Sequence, residues 1–256
     1  MVSSPLIVAN WKMHKTVRQS IAFARELLRR RDEIPPGIQE VICPTLPALY
    51  SVSQVLAWSG IQTGAQTLDL GREGANTGAV SAFLVRETGA AFVILGHSER
   101  RNLYGEDDAL VAEKTRSALD AHLIPIICVG ESPEERKRGR TDAVIRHQVR
   151  AVVEGLTERT TTALVFAYEP LWAIGTGQVP EPDEANRVAR LARTVVHETT
   201  PQFDSDLRIL YGGSVNAGNA SGFANAPEID GALVGGASLD INQWIGLNIA
   251  WGEGRP

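Results

Sequence analysis

The chain has 256 residues, of which 43% are hydrophobic and 21% charged, and its formal net charge is −5. This length suits one large domain or two small ones, and the composition is typical of a globular protein with a substantial core. The acidic balance argues against a nucleic-acid-binding surface, because no stripe of lysine and arginine offsets it.

The cysteine content and the hydropathy of the chain indicate the cellular compartment in which we expect the protein. Cys43 and Cys128 are the two cysteines, and each lies at an apolar run. Two buried thiols fit a reducing compartment better than a disulfide scaffold. The apolar run at residues 6–9 is too short for a signal peptide, and no run approaches the roughly 20 residues needed to cross a bilayer. We therefore expect a cytoplasmic protein without membrane contact.

Strand-like and helix-like segments alternate along the whole chain. The strand-like runs lie at residues 6–9, 40–43, 61–65, 92–95, 124–129, 164–168, 207–211 and 229–234. Apolar residues between them have helical spacing, as at Val17, Ile21, Ala24, Leu27 and Leu28. Eight such units in about 250 residues match a closed (β/α)8 barrel, whereas a doubly wound sheet normally has fewer strands. We predict an α/β fold, a single (β/α)8 barrel domain spanning residues 1–256.

Polar residues and glycines follow the predicted strands at their C-terminal ends. In chain order they include Asn10 and Lys12, Gly96 to Arg100, Gly130 and Glu131, Glu169, Gly212 to Ser214, and Gly235 and Gly236. In a (β/α)8 barrel these ends converge on the face that carries active sites. We therefore predict that residues far apart in sequence share one pocket.

Glu169 ends the sixth predicted strand, and a stiff, apolar segment with two glycines follows it. That segment is Pro170, Leu171, Trp172, Ala173, Ile174, Gly175, Thr176 and Gly177. A carboxylate joined to a segment that can hinge over it is typical of a catalytic base with a lid. An ordinary strand end followed by a turn fits this segment equally well.

Two glycine pairs follow the seventh and eighth predicted strands, where barrels commonly bind phosphate. Glycines let backbone N–H groups approach phosphate oxygens, and Ala237-Ser238 suits the start of a short helix facing the anion. Tight turns that need positive φ are the alternative explanation for these glycines.

Six motifs together resemble the triosephosphate isomerase family, in register over residues 8–239. They are Asn10-Trp11-Lys12-Met13, the run from Gly96 to Arg101, the run from Cys128 to Glu131, the run from Tyr168 to Gly177, the run from Tyr211 to Val215, and the run from Val234 to Leu239. The resemblance implies interconversion of dihydroxyacetone phosphate and glyceraldehyde 3-phosphate through an enediolate, without a cofactor. The implied pathways are glycolysis and gluconeogenesis.

The resemblance also assigns roles at the reacting atoms. Glu169 is the implied base, and His97 polarises the substrate oxygens as a neutral imidazole held at a helix N-terminus that begins at Ser98. Lys12 brings positive charge to the phosphate and the enediolate oxygen, and Asn10 hydrogen-bonds nearby.

Supporting roles follow from the same resemblance. Glu99 is expected to orient Lys12, and Glu131 to brace the surroundings of the lid. Tyr211 and Ser214 receive the closed lid. The implied phosphate ligands are Ser214 and the N–H groups of Gly175, Gly235 and Gly236.

The long polar loop at residues 66–79 is the implied dimer contact. Its tip at Asn76 and Thr77 would reach the site of a second copy, which predicts a homodimer; from composition alone, a mobile surface loop is an equal alternative. The family usually has asparagine at Thr67, a bulky residue at Asn76, and at Ala79 a glutamate that pairs with an arginine matching Arg100. Arg100 then has Glu106 as its partner within the chain. Pro180 also departs from the pattern and narrows backbone freedom after the lid.

Other functions are less well supported by the residues. A longer phosphosugar, such as a tetrulose phosphate, is an alternative substrate, and a phosphate-binding barrel without catalysis is an alternative from another class. No G-x-G-x-x-G follows the first strand, and the five histidines form no ligand-spaced cluster. We therefore expect neither a dinucleotide nor a metal.

Overall fold

Eight parallel strands close into a barrel in sequence order in the computed structural model, which describes residues 4–156, 163–173, 179–200 and 207–254. The strands are β1 (Leu6–Asn10), β2 (Gln39–Cys43), β3 (Gln62–Ala65), β4 (Phe92–Leu95), β5 (Ile124–Val129), β6 (Leu164–Tyr168), β7 (Leu207–Tyr211) and β8 (Gly231–Val234). The predicted (β/α)8 barrel is confirmed, and no strand end differs from its predicted position by more than two residues.

Helices connect the strands and surround the barrel. They are α1 (Val17–Arg29), α2 (Leu46–Leu56), α3 (Ala82–Glu87), α4 (Ser98–Tyr104), α5 (Asp108–Asp120), α6 (Pro133–Lys137), α7 (Thr141–Val153), α8 (Pro182–Thr199), α9 (Ala220–Ala224) and α10 (Ile241–Glu253), with short 3-10 turns at Arg31–Glu33 and Gly236–Ser238. Several helices begin where the sequence supplies a cap: the side chains of Thr16 and Ser132 each form a capping box with a residue three positions later.

Strand residues alternate between two buried layers. Leu6 and Val8 of β1 belong to the cluster inside the barrel, whereas Ile7 and Ala9 pack in the layer between strands and helices. Continued beyond the last inward strand residue, this alternation places the next inward residue at the mouth of the barrel. Asn10 at the end of β1 and Glu169 after β6 are both in this position.

The helices contribute apolar faces to the outer layer. Val188, Ala189 and Val196 of α8 are buried, as their spacing suggests. In α1 the buried residues are Ser20, Phe23, Ala24 and Leu27, whereas Val17, which has the same helical spacing, is 38% exposed because it starts the helix at the rim.

Both cysteines are free and buried. Burial raises the pKa of the Cys43 thiol, and burial together with the neighbouring Glu169 carboxylate raises that of Cys128. Neither thiol is therefore ionised at neutral pH.

Candidate active site

A cavity of about 440 Å³ opens at the C-terminal mouth of the barrel. Residues from the ends of β1, β4, β6, β7 and β8 line it, together with the first turn of α10: Asn10, Lys12, His97, Glu169, Gly212, Gly213, Ser214, Val215, Asn216, Leu233, Gly235, Gly236, Ala237 and Gln243. Residues that the sequence predicted to share a pocket are thus brought together from five strands.

Glu169 lies in this cavity with 2% of its surface exposed. One carboxylate oxygen, Oε1, is 3.0 Å from Nε2 of His97, and the other, Oε2, accepts the backbone N–H of Ser98 at 2.9 Å. A β-carbon on Gly212 would lie 2.9 Å from Cγ of Glu169, so that only glycine leaves room for this carboxylate beside β7. The side chain is buried, hydrogen-bonded on both oxygens and directed into the pocket.

His97 precedes α4 and caps its N-terminus with the imidazole itself. Nδ1 accepts the backbone N–H of Glu99 at 3.2 Å. Because Nδ1 is an acceptor there, the ring proton belongs on Nε2, from which it is donated to Glu169. A neutral imidazole also suits the positive end of a helix better than an imidazolium does.

The pKa shifts of His97 and Glu169 each favour the charged form of the group. Burial lowers the pKa of His97, but the charge and hydrogen bond of Glu169 outweigh it and the net shift is upward. Burial raises the pKa of Glu169, whereas His97, the Ser98 N–H and Lys12 lower it, and the net shift is downward. The upward shift of His97 therefore exists only while the ionised carboxylate is adjacent.

Lys12 brings a positive charge to the same cavity. Its backbone lies in the left-handed region, with φ of 50°, and its N–H donates to Oδ1 of Asn10 at 3.0 Å. Its Nζ atom donates to Oε1 of Glu99 at 2.8 Å. Asn10 thus fixes the Lys12 backbone, and Glu99 holds its ammonium group at the pocket.

Glycine-rich turns after β7 and β8 line the other end of the cavity. The residues after β8 form the 3-10 turn at Gly236–Ser238, in which Ser238 closes back on Gly235. No acceptor for the N–H groups of Gly235 and Gly236 is found among the described residues. Ser214 is exposed to the cavity as well. These residues thus offer hydrogen-bond donors at the edge of a space where an anion fits.

The first half of the predicted lid follows Glu169 and packs on Glu131. Leu171 donates its backbone N–H to the Glu131 carbonyl at 3.2 Å, and Nε1 of Trp172 donates to Oε1 of Glu131 at 3.0 Å. Pro170 and Ala173 are buried. The other residues of the predicted lid, Ile174, Gly175, Thr176 and Gly177, lie outside the described residues.

Glu131 and Tyr211 are buried beside the site without lining it. Oε1 of Glu131 also accepts from the hydroxyl groups of Tyr168 and Thr141, each at 3.2 Å. The Tyr211 ring stacks on Phe223 at 4.0 Å, and its hydroxyl has no hydrogen-bond partner among the residues that the structure describes. Burial raises the pKa of Tyr211, which keeps that hydroxyl protonated as a donor.

Comparison with known proteins decides the family. A sequence model of the family described as triosephosphate isomerase matches residues 5–250. The chain is 44% identical over 253 residues to the triosephosphate isomerase of Symbiobacterium thermophilum, with 98% of each chain covered. It is 44% identical over 238 residues to that of Dictyoglomus thermophilum, covering 91% of this chain and 94% of the relative. It is 42% identical over 243 residues to that of Endomicrobium trichonymphae, covering 95% and 97%. The chain belongs to the triosephosphate isomerase family.

The loop after β3 is exposed at its tip in this triosephosphate isomerase family member. Residues 71–78 are exposed, including Asn76 and Thr77, and neither of those two lines the pocket. Thr67 accepts from Nζ of Lys114 at 3.4 Å, and Ala79 is partly buried. The loop is a surface feature of the single chain.

Arg100, which lacks the glutamate usual in the family at Ala79, is engaged within its own chain. Its Nε donates to Oε1 of Glu106 at 2.9 Å, and its guanidinium lies 4.0 Å from the Tyr104 ring centroid. Lys114 reaches the same Glu106 oxygen at 2.7 Å. Pro180 is buried ahead of α8.

Several lining residues were not among the predicted site residues. They are Val215, Asn216, Leu233 and Gln243. Asn216 and Gln243 carry no motif, and only the folding of α10 against the turn after β7 brings them to the pocket. Leu233 follows the alternation of β8, which could have identified it as the inward residue before the glycine pair.

Within residues that the structure describes, no three His, Cys, Asp or Glu side chains are grouped as ligands of a metal would be. No helix in that part of the chain has the length and apolar character needed to cross a membrane.

Proposed function

We propose that this chain interconverts dihydroxyacetone phosphate and D-glyceraldehyde 3-phosphate by proton transfer through an enediolate, without a cofactor. The observation that carries this proposal is the 3.0 Å contact between Glu169 and His97 in a cavity that also holds Lys12. A base, a hydrogen-bond donor for oxygen and a cation are the groups that such a proton transfer needs.

Glu169 acts as the base in this proposal. Its lowered pKa keeps it ionised at neutral pH, and its burial removes the water that would otherwise weaken it as a base. A substrate whose two reacting carbons lie between the side chains separates Glu169 from Nε2 of His97. The carboxylate then faces a carbon-bound proton instead of the imidazole.

His97 polarises the substrate oxygens through its Nε2 proton. Once the substrate replaces Glu169 as its partner, the carboxylate no longer raises the pKa of His97, and burial and the start of α4 favour the neutral ring. Lys12 stabilises the negative charge that develops on the enediolate oxygen, with Asn10 beside it. Glu99 and Ser98 position these groups without contacting the substrate.

The phosphate group binds at the glycine-rich end of the cavity. The N–H groups of Gly235 and Gly236 and the hydroxyl of Ser214 are the proposed ligands, and Gly175 adds another N–H from the lid. The lid comprises Pro170 to Gly177. Tyr211 is a proposed contact for it because its buried hydroxyl has no hydrogen-bond partner within the described part of the chain. Glu131 braces the first half through Trp172.

We also propose that two copies associate through the loop after β3. Apolar side chains are exposed at the C-terminal ends of the strands near that loop, including Met13, which is 93% exposed. Met13, Leu46 and Leu70 are all exposed after the neighbouring strands β1, β2 and β3, and a group of exposed apolar side chains, unlike a single one, is typical of an interface. Asn76 and Thr77 are the proposed points of contact with the second copy.

One domain over residues 1–256 and a cytoplasmic role in glycolysis and gluconeogenesis complete the proposal.

A coupled assay with each triose phosphate, without added metal or nucleotide, tests the reaction. We expect turnover by the wild type and a loss of roughly 10²-fold to 10⁴-fold in kcat for Glu169→Gln, with smaller change in KM. Glu113→Gln, the same chemical change at an exposed position of α5, is the control. Undiminished turnover by Glu169→Gln removes the base assignment.

The same assay separates the other candidate functions. Faster turnover of a four-carbon ketose phosphate than of the triose phosphates would show that the longer phosphosugar is the substrate. Binding of a phosphorylated enediolate mimic without any turnover would leave a binding protein instead of an enzyme.

A further inference from the structure

Arg136 lies at the centre of a charged cluster next to the segment that follows Glu169. It belongs to α6, and its guanidinium carbon is 3.9 Å from the ring centroid of Trp172. Its NH1 atom is 3.5 Å from Oε1 of Glu131 and 3.3 Å from Oε1 of Glu184. One side chain thus joins three elements: the turn after β5, the start of α8 and the segment after β6.

The indole of Trp172 is held from two directions. Glu131 accepts its Nε1–H at 3.0 Å at the ring edge, and Arg136 covers a ring face. A planar guanidinium over an indole is the most favourable cation–π arrangement in proteins, and it orients the ring as well as binding it. Together the two contacts fix the position and the tilt of the indole.

Glu131 depends on Arg136 for its charge balance. The Glu131 side chain is fully buried, and Arg136 is the cation found within 4.0 Å of it among the described residues. A buried carboxylate that loses its cation is costly and reorganises its hydrogen bonds. Removing Arg136 therefore weakens the Glu131 contact to Trp172 as well as the stacking.

The position of Trp172 matters because three peptide bonds connect it to Glu169. The backbone on either side is already bound: the Glu169 N–H to the carbonyl of Val129 at 2.8 Å, and the Leu171 N–H to that of Glu131 at 3.2 Å. The indole is the next anchor along the chain. A shift at this anchor is transmitted through a short, Pro170-containing segment to the carboxylate, whose placement controls proton transfer steeply.

We propose that Arg136 is a positioning residue for Glu169, acting through the indole of Trp172 and the carboxylate of Glu131. The catalytic part of this inference rests on the proposed isomerase function. Arg136 itself is not among the described residues that line the cavity. It holds the segment that follows the base, while Glu184 ties the same guanidinium to the first turn of α8.

Arg136→Met tests the inference, because it keeps the length of the side chain but removes the charge and the planar group. We expect kcat to fall about tenfold, the size of effect that corresponds to a partly desolvated cation–π contact, with KM changed by less than about twofold. Lys137→Met is the matched control, since Lys137 is the exposed neighbour in the same last turn of α6. We expect that control to match the wild type.

A second readout follows the indole directly and needs no activity. The protein contains five tryptophans, so that ¹⁹F NMR of 5-fluorotryptophan-labelled protein gives few resonances, and Trp172→Phe assigns the relevant one. We expect Arg136→Met to shift and broaden the Trp172 resonance, whereas Lys137→Met leaves it unchanged. An unmoved resonance in Arg136→Met overturns the inference, as does a shifted resonance with unchanged kcat.

Two further variants keep the test decisive if Arg136→Met does not fold. Arg136→Lys retains a cation for Glu131 and Glu184 but not the stacked plane, and we expect a smaller loss of kcat with a shifted resonance. Glu184→Gln retains the stacking, and we expect a smaller shift still. A kcat and a Trp172 resonance equal to those of the wild type in Arg136→Lys overturn the role of stacking.

The two readouts also separate this inference from the proposed function. If the wild type is inactive but Arg136→Met still shifts the Trp172 resonance, the proposed isomerase function is overturned and the contact is established.

Discussion

Nε2 of His97 and Oε1 of Glu169 lie 3.0 Å apart, and each group shifts the pKa of the other toward its charged form. The two groups that are proposed to act on a substrate from opposite sides are therefore each other's partner in the free protein. Their charges are coupled, so that a change at one is measurable at the other.

We expect the pKa of His97 to be lower in Glu169→Gln than in the wild type. The substituted amide still offers an oxygen to Nε2 but carries no charge, so that burial, which lowers the pKa of His97, is no longer outweighed. In the wild type the imidazole titrates above its ordinary value of 6.5, and in the variant it titrates at lower pH. Titration of the imidazole nitrogens by ¹⁵N NMR measures both.

Glu113→Gln is again the control for that titration, since it removes one negative charge far from the imidazole. An unchanged or raised His97 pKa in Glu169→Gln would contradict the coupling. It would also show that the start of α4 and burial do not by themselves favour the neutral ring.

Lys12 and Glu99 are predicted to differ in how much activity they control. Lys12→Met removes the cation from the cavity, and we expect kcat/KM to fall by roughly 10²-fold to 10³-fold. Glu99→Gln keeps an oxygen that accepts from Nζ of Lys12, and we expect a loss of no more than about fivefold. Steady-state kinetics of both variants provide the measurement. Equal losses of kcat/KM in the two variants would show that Glu99 takes part in the reaction itself and does more than position Lys12.

The fold could be predicted from sequence because its signals are local and repeated. Most strands are short apolar runs that are buried on both faces, and the longer helices have an apolar stripe with a period near 3.6 residues. The positions of Asn10, His97 and Glu169 could be predicted for the same reason, since each lies at the C-terminal end of a strand or within two residues after it. Once the barrel closes, those positions meet on one face.

Contacts between side chains from distant elements were not accessible in this way. Gln243 lines the cavity, and Arg136 stacks on Trp172, although no periodicity or motif marks either residue. Their placement depends on the packing of helices against loops and on side-chain rotamers, which spacing along the chain does not determine. Glu40 is the clearest case, because a strand of this kind normally carries an apolar residue at a buried position.

The proposed dimer predicts that two equally exposed apolar residues respond differently to substitution. Met13 follows β1 on the face that carries the loop after β3, whereas Trp58 lies between α2 and β3 at the opposite end of the barrel and is fully exposed. We expect Met13→Glu to dissociate the dimer, because a carboxylate would be desolvated in the interface, and Trp58→Glu to leave it intact. Sedimentation velocity at matched concentrations measures both. A monomeric wild type, or the reverse response, contradicts the proposed interface.

Glu40 is a buried carboxylate between β2 and α10, and its titration makes the stability of the fold depend on pH. Its side chain accepts from Nε1 of Trp244 at 2.9 Å and lies 3.2 Å from Nε of Arg31. Burial raises its pKa above the ordinary value of 4.5 in spite of Arg31 and Trp244. The folded chain therefore holds this proton more tightly than the unfolded chain does.

The sign of that shift fixes the expected pH dependence. Between pH 4.5 and the raised pKa of Glu40 the folded state binds more protons at this site, so that its contribution to the free energy of unfolding falls as pH rises. Glu40→Gln keeps an oxygen for Trp244 and has no titrating group. We expect its stability relative to the wild type to increase with pH over this interval, by about 1.4 kcal/mol for each pKa unit of upward shift. Urea unfolding at a fixed protein concentration, from pH 4.5 to 8, measures the difference, and parallel profiles for the two proteins would show that Glu40 titrates alike in the folded and unfolded chains.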